Sequence, residues 1–183
     1  MRKFPKYISD VLGRGGVGVI PTDTIYGVVG RAMDSRVVAR IYKLRRRNAK
    51  KPFIVLVHSA ATLKKFGVHL DKYHKLFLAE AWPGPVSVVL PVPVAKYKYL
   101  HRGNRSLAFR VPADAALRDL LRRTGPLVAP SANWEGQRPA RTIKEAQKFF
   151  GSHVEFYVDG GRAAGKPSTL IDFTGKKPVI LRK

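Results

Sequence analysis

The chain contains no cysteine among its 183 residues, and it has only 12 Asp and Glu residues against 35 Lys and Arg. Without cysteine it can form no disulfide, thiolate nucleophile or thiolate metal site, which fits a reducing compartment. No segment approaches the roughly 20 apolar residues that span a membrane, and the N-terminal MRKFPKYISD lacks the apolar run of a signal peptide. We therefore expect a soluble, cytoplasmic protein with no membrane partner.

The shortage of acidic residues leaves a formal net charge of +23. Basic residues occur along the whole sequence and are densest in RVVARIYKLRRRNAKK at 36–51. Such an excess creates a field that attracts polyanions, so we expect an anionic nucleotide, tRNA or another RNA as a partner. The other interpretation is a solubilising charged surface with no role in nucleic-acid binding.

Hydrophobic periodicity predicts strands that alternate with helices. Helices are predicted at 34–47, with Asp34 as the N-cap, and at 71–80, 113–124 and 142–150. Strands are predicted at 52–57, 86–92, 106–111, 126–130, 154–158, 168–173 and 178–182. This order predicts one α/β domain over residues 1–183, built on a mixed sheet.

The segment VIPTDTIYGVVG at 19–30 also has the apolar flanks of a strand. In a continuous strand, alternate residues share a face, so Thr22, Thr24 and Tyr26 would present their hydroxyls together. A face with hydroxyls and no charge suits a small polar ligand better than a core.

General motifs do not identify a site. Gly13, Gly15 and Gly18 match G-x-G-x-x-G but precede a strand, whereas a dinucleotide-binding motif joins a strand to a helix. The five histidines show no metal-ligand spacing, so no protein metal site is predicted. The polar groups at strand ends are hydroxyls, amides and guanidiniums. Such donors position and neutralise phosphates, as phosphoryl or nucleotidyl transfer requires.

Seven motifs occur in a fixed order between about residue 9 and residue 182: PTDTIYG, IYKLRRRNAKKPF, WPGPVSVVL, SLAFRVP, APSANWEG, PSTLID and PVILR. In this order and spacing the chain resembles the short, single-domain form of the YrdC-type threonylcarbamoyl-AMP synthases. The resemblance implies a twisted mixed β-sheet with flanking helices around a basic concave cavity. It also implies synthesis of threonylcarbamoyl-AMP and pyrophosphate from L-threonine, bicarbonate and ATP, with Mg²⁺ on the phosphates, for tRNA threonylcarbamoyladenosine modification.

The resemblance also implies roles for individual residues. Threonine is expected to contact Thr24, Arg110, Ser131 and Ser168. ATP is expected to contact Arg47, Lys51, Ser106, Asn133, Thr142 and Arg182. Arg45 and Arg47 are the expected catalytic residues.

Two positions depart from the family pattern. The family usually has K-x-R before the strand that begins near Pro52, and the ungapped alignment places arginine at position 45 where the lysine is usual. Lys43-x-Arg45 also spells K-x-R, but would need a two-residue shift. Leu56 stands where the family often has a histidine near the threonine pocket, so threonine affinity could differ.

Two other functions remain open at this point. One is a non-catalytic RNA- or ribosome-binding module that retains the fold, which the charge supports. The other is a related carbamoyl-adenylate activity, as in the YrdC-like domain of hydrogenase maturation proteins. Downstream threonylcarbamoyl-transferase subunits are possible partners of the synthase.

Overall fold

Residues 3–183 are described by a computed structural model, in which helices and strands alternate along the chain. The helices are α1 (Lys6–Gly13), α2 (Ser35–Leu44), α3 (Lys72–Ala81), α4 (Lys98–His101), α5 (Ala115–Thr124) and α6 (Ile143–Phe150). The strands are β1 (Gly18–Pro21), β2 (Tyr26–Arg31), β3 (Val55–Leu56), β4 (Val86–Pro91), β5 (Ser106–Arg110), β6 (Leu127–Val128), β7 (Phe156–Tyr157), β8 (Thr169–Asp172) and β9 (Val179–Arg182). Short 3₁₀ turns lie at Ala60–Phe66, Ala95–Tyr97 and Gly151–His153.

The strands form one mixed sheet in the order β7-β1-β2-β6-β3-β5-β4-β8-β9. Neighbours run parallel in the pairs β1/β7, β3/β5 and β4/β8. The remaining pairs are antiparallel. The predicted α/β fold, a mixed sheet with flanking helices, is confirmed.

Helices cover both faces of the sheet because successive strand side chains point in opposite directions. Val19 and Val28 belong to one hydrophobic core, which α2 covers. Ile20 and Val29 belong to the other core, which α1 and α5 cover. The apolar runs of the sequence are therefore buried on two sides, and polar groups collect at strand ends and in connecting loops.

The prediction of a single strand over 19–30 is wrong. β1 ends at Pro21 and pairs antiparallel with β2, which begins at Tyr26, so residues 22–25 form the hairpin turn between them. Thr22 Oγ1 stabilises this turn by donating to the Ile25 carbonyl at 2.7 Å. Thr22 and Thr24 are close because of the turn, with 3.0 Å between their Oγ1 atoms, and not because of strand alternation.

Helix α2 begins as predicted but ends early. The Asp34 side chain caps it by accepting hydrogen bonds from two backbone N–H groups of the first turn. The helix ends at Leu44, and Arg46 has a positive φ of 51°, which a continuing helix cannot contain. The predicted helix over 34–47 is therefore wrong from residue 45 onward.

The other predicted elements are present with small changes in their bounds. Helices α3, α5 and α6 begin and end within two residues of the prediction, and Thr142 caps α6 by accepting from the Glu145 N–H at 3.2 Å. Several strands are shorter than predicted, such as β3 and β6 with two residues each. Helices α1 and α4 were not predicted. Because Gly13 ends α1 and Gly18 begins β1, the glycine motif joins a helix to a strand and is not a dinucleotide loop.

Within residues 3–183, no helix is both long enough and apolar enough to cross a membrane.

Candidate active site

A cavity of about 310 Å³ opens beside the β1–β2 turn and the segment that follows β6. Four arginines reach it, namely Arg45, Arg47, Arg110 and Arg182. Within residues 3–183 its lining includes one carboxylate, that of Glu135. Its hydroxyl and amide groups come from Thr22, Thr24, Tyr26, Ser131, Asn133, Gln137 and Ser168. This is the basic concave cavity that the resemblance implies.

Arg45 is a fixed, buried charge in the cavity wall. Its side chain donates to the Asn133 carbonyl, to Asn133 Oδ1 and to Ser131 Oγ, each at 3.0 Å. Burial lowers the pKa of Arg45 to about 10, and the nearby positive charge of Arg47 acts in the same direction. The guanidinium therefore still carries its charge at neutral pH. It holds the segment 131–133 in place against α2.

The left-handed backbone of Arg46 directs the side chains of Arg46 and Arg47 to different surroundings. Arg47 points to the cavity, with Nε donating to the Lys51 carbonyl at 3.2 Å and Nη2 to the Pro52 carbonyl at 3.3 Å. Arg46 instead lies over the indole ring of Trp134, 3.6 Å from its centroid, and does not line the cavity. Of these two arginines, Arg47 can reach a ligand in the cavity.

Arg110 and the β1–β2 turn contribute further polar side chains to the cavity wall. Arg110, at the end of β5, is 4% exposed, and its Nη1 donates to Asp23 Oδ1 at 2.9 Å. Burial lowers the pKa of Arg110, while the charge and hydrogen bond of Asp23 oppose this. Since the Thr22 hydroxyl proton goes to a backbone carbonyl, Thr24 Oγ1 donates to Thr22 and keeps its own lone pairs for a ligand.

Ser168 and Arg182 also line the cavity. The Ser168 hydroxyl lies 2.8 Å from that of Ser87, and both serines are buried. Arg182 donates from Nε and Nη2 to the Ser168 carbonyl, at 3.3 and 2.8 Å. Strand β9 thereby brings a guanidinium from the C-terminal end of the chain to the loop that precedes β8.

The loop of residues 158–168 packs across the β1–β2 turn. The Tyr26 hydroxyl donates to the Gly161 carbonyl at 2.7 Å and accepts from the Gly160 N–H at 2.9 Å. A Cβ atom on Gly165 would lie 2.2 Å from the Thr24 carbonyl oxygen, so only glycine fits this approach. Tyr26 lines the cavity, but its hydroxyl is hydrogen-bonded to the loop of residues 158–168.

Most of the predicted site residues meet at this cavity, and three do not. Those that line it are Thr24, Arg45, Arg47, Arg110, Ser131, Asn133, Ser168 and Arg182. Lys51 lies at its edge, where Nζ pairs with Glu135 Oε1 at 3.0 Å. Thr142 caps α6, and Ser106 begins β5, about 13 Å along the strand from Arg110. Neither lines the cavity.

Leu56 is part of the protein core. It is fully buried in the hydrophobic cluster that α1 and α5 cover, and does not line the cavity. The neighbouring Ile54 does line it. Any effect of Leu56 on threonine affinity would therefore be indirect, through the packing of the core.

Sequence reasoning missed three residues of this region. Asp23 pairs with Arg110, and Phe53 contributes an aromatic ring to the cavity wall. Glu135 accepts from the Asn48 N–H at 2.6 Å and from Lys51, and these hydrogen bonds lower the pKa of its carboxyl group. All three lie inside motifs that carry the resemblance, which was the available signal.

No group of three or more His, Cys, Asp or Glu side chains that could hold a metal ion occurs within residues 3–183.

Comparisons with known proteins support the family resemblance found in the sequence. The Sua5/YciO/YrdC sequence family, described as "Telomere recombination", matches residues 10–183. A threonylcarbamoyl-AMP synthase from Thiobacillus denitrificans is 34% identical over 168 residues, which cover 90% of this chain and 89% of the relative. A threonylcarbamoyl-AMP synthase from Pyrococcus abyssi is 33% identical over 171 residues, which cover 92% of this chain.

The chain spans only 50% of that Pyrococcus abyssi protein. The crystal structure of Pyrococcus abyssi Sua5 complexed with L-threonine superposes with a TM-score of 0.88 and 30% identity, covering 96% of this chain and 52% of that one. The family model and both relatives confirm the predicted resemblance. The chain belongs to the Sua5/YciO/YrdC family.

Proposed function

We propose that this protein is an L-threonylcarbamoyladenylate synthase, a nucleotidyltransferase that makes threonylcarbamoyl-AMP and pyrophosphate from L-threonine, bicarbonate and ATP. One observation carries the proposal: four arginines and a set of hydroxyls line a single cavity with one carboxylate. That combination suits substrates that bring a triphosphate and an α-carboxylate together. Family membership and the threonine complex of the Pyrococcus abyssi relative support the same substrates.

The amino acid would bind where Thr24, Arg110 and Ser168 converge. Arg110 would receive the α-carboxylate, because a guanidinium fork matches carboxylate geometry. Thr24 Oγ1, with free lone pairs, would accept a hydrogen bond from the substrate. Loop 158–168 would shield this end of the cavity from solvent, since it packs directly on residue 24.

The nucleotide would bind toward Arg45, Arg47 and Asn133. In this proposal the threonine amine combines with bicarbonate to give a carbamate and water. A carbamate oxygen then attacks the α-phosphorus, the bond from that phosphorus to the bridging oxygen breaks, and pyrophosphate leaves. Arg45 supplies a charge that its hydrogen bonds already hold in place, and Arg47 neutralises the developing phosphate charge. The reaction requires positioning and charge, and no protein nucleophile.

Lys51 would bind the phosphates of ATP. Its ion pair with Glu135 would break, because the triphosphate carries more negative charge than one carboxylate. Arg182 would contribute from the Ser168 side of the cavity. Ser106 and Thr142, which lie outside the lining, would make no direct contact with ATP.

Mg²⁺ would enter with ATP and be held by the phosphates, with Glu135 as the available protein carboxylate. When bound, it would neutralise part of the charge on the leaving pyrophosphate. The product would serve tRNA threonylcarbamoyladenosine modification in the cytoplasm, with downstream threonylcarbamoyl-transferase subunits as partners. Direct contact with tRNA is part of this proposal and rests on the basic surface.

Pyrophosphate release by the purified protein tests the function. We expect release from ATP only when L-threonine and bicarbonate are both present. Release that continues without threonine would overturn the proposal. If no pyrophosphate is released and the protein binds RNA, the non-catalytic alternative is favoured. If release depends on carbamoyl phosphate instead of threonine and bicarbonate, the related carbamoyl-adenylate activity is favoured.

A further inference from the structure

The ion pair between Asp23 and Arg110 is buried beside the cavity. The two side chains are 8% and 5% exposed, and Arg110 Nη1 donates to Asp23 Oδ1 at 2.9 Å. The other oxygen, Oδ2, accepts from the Ala113 N–H at 2.8 Å. Asp23 is therefore held through both oxygens and connects the β1–β2 turn to the chain that follows β5.

The opposite edge of the Arg110 guanidinium is free. Its Nε is buried and has no hydrogen-bond partner within residues 3–183. The Arg110 hydrogen bond found in that part of the chain uses Nη1 alone, which leaves Nη2 beside Nε. Nε and Nη2 form the side edge of the guanidinium, which binds a carboxylate through two parallel hydrogen bonds. A buried donor without a partner is costly unless a ligand satisfies it.

We propose that Asp23 is a positioning residue for the substrate carboxylate. By occupying Nη1, it fixes the guanidinium so that the Nε and Nη2 edge meets the α-carboxylate of L-threonine. The inference rests on the proposed function, because it takes threonine as the ligand of Arg110. Asp23 also counteracts the effect of burial on the pKa of Arg110 and so helps to keep the guanidinium charged.

A purely structural role for Asp23 makes a different prediction. If the ion pair only fastens the turn to the end of β5, its loss would disturb the cavity as a whole. Ligands with and without a carboxylate would then weaken alike. If Asp23 orients Arg110, its loss would weaken only the ligand that carries a carboxylate.

Calorimetry with L-threonine and L-threoninol separates the two roles, because threoninol carries a hydroxymethyl group in place of the carboxylate. We expect the wild-type protein to prefer threonine by about 10- to 100-fold, the range for a charge-assisted contact. In Asp23→Asn, which keeps the shape of the side chain but not its charge, this preference should fall by about 10-fold. Asp119→Asn is the matched control: it removes the same charge from an exposed ion pair with Arg123, and should leave the preference unchanged.

Circular dichroism identifies which variants are folded. If Asp23→Asn does not fold, Asp23→Glu replaces it, since the longer side chain keeps the charge but displaces the guanidinium, and the preference should again fall. An unchanged preference in either folded variant overturns the positioning role. A wild-type protein that releases pyrophosphate but does not prefer threonine to threoninol overturns this inference and leaves the proposed function standing. A wild-type protein that binds no threonine overturns both.

Discussion

Three consecutive arginines at positions 45–47 have three different environments. Arg45 is buried and bonded to the segment 131–133, Arg46 covers the ring of Trp134, and Arg47 reaches the cavity. The difference follows from the end of α2 at Leu44 and the left-handed backbone of Arg46. Removing Arg45 would leave its hydrogen-bond acceptors unpaired in the interior, so Arg47 gives the cleaner test of charge in the active site.

Arg47→Ala is expected to reduce the rate of pyrophosphate release by about 100- to 1000-fold, the usual loss when one fixed donor is removed from a transition state. Arg46→Ala should leave the rate nearly unchanged. It should instead lower the free energy of unfolding by about 0.5–1 kcal/mol, because the cation–π contact with Trp134 is lost from an exposed position. Steady-state rates and denaturant unfolding of both variants check this. Equal rate losses in the two variants would contradict the arrangement of the turn.

Residues that carry recognisable motifs could be predicted from the sequence, and residues that support them could not. The motifs identified Thr24, Arg110 and Asn133, all of which line the cavity. Asp23 was not identified, because its partner Arg110 is 87 residues away along the chain and only the fold brings them together. Ser106 and Thr142 show the converse: a motif match does not by itself bring a side chain to the cavity.

At the scale of elements, hydrophobic patterning predicted the sheet and most helices but not where elements break. The segment 19–30 is apolar on both sides of its threonines, so its hairpin turn is hidden by the hydrophobic pattern. Helix α1 was missed because its amphipathic run, KYISDVLG, is short and has no side-chain cap. Loop 158–168 has no periodic pattern at all, and its place beside the cavity depends on long-range contacts of Tyr26 and Thr24.

Gly165→Ala tests whether loop 158–168 shapes the threonine end of the cavity. An added Cβ would meet the backbone of Thr24, with the carbonyl oxygen at 2.2 Å, so the loop must move away from the turn. We expect a KM for threonine raised by about 10-fold or more, with a smaller change in the KM for ATP. Gly175→Ala is the control, because its added Cβ would meet no atom within 4 Å. Equal KM values for threonine in both variants would show that the loop does not shape the pocket.

At the scale of the whole molecule, the acidic residues are too few to neutralise the surface. The formal net charge is +23, and one cavity for a triphosphate and a carboxylate uses only a small part of it. Arg36, Arg40 and Lys43 form a basic face of α2, and this face is itself partly neutralised, since Arg36 pairs with Asp34 and Arg40 with Glu155. Lys43 on that face forms no ion pair within residues 3–183. A polyanion would therefore be attracted by the overall field more than by this one helix.

Binding of tRNA to this surface should be separable from binding of small molecules in the cavity. Because the attraction comes from release of counterions, affinity should fall steeply with salt, with a log-log slope of about −0.7 per phosphate contacted on single strands. Thr24→Ala changes a buried residue of the cavity and no charge, so it should alter threonine binding and leave the salt dependence of tRNA binding as it is. Fluorescence anisotropy with labelled tRNA across a salt series measures both quantities. If no binding is detected even at low salt, the positive charge serves only to solvate the surface, and tRNA is not a direct partner of this chain.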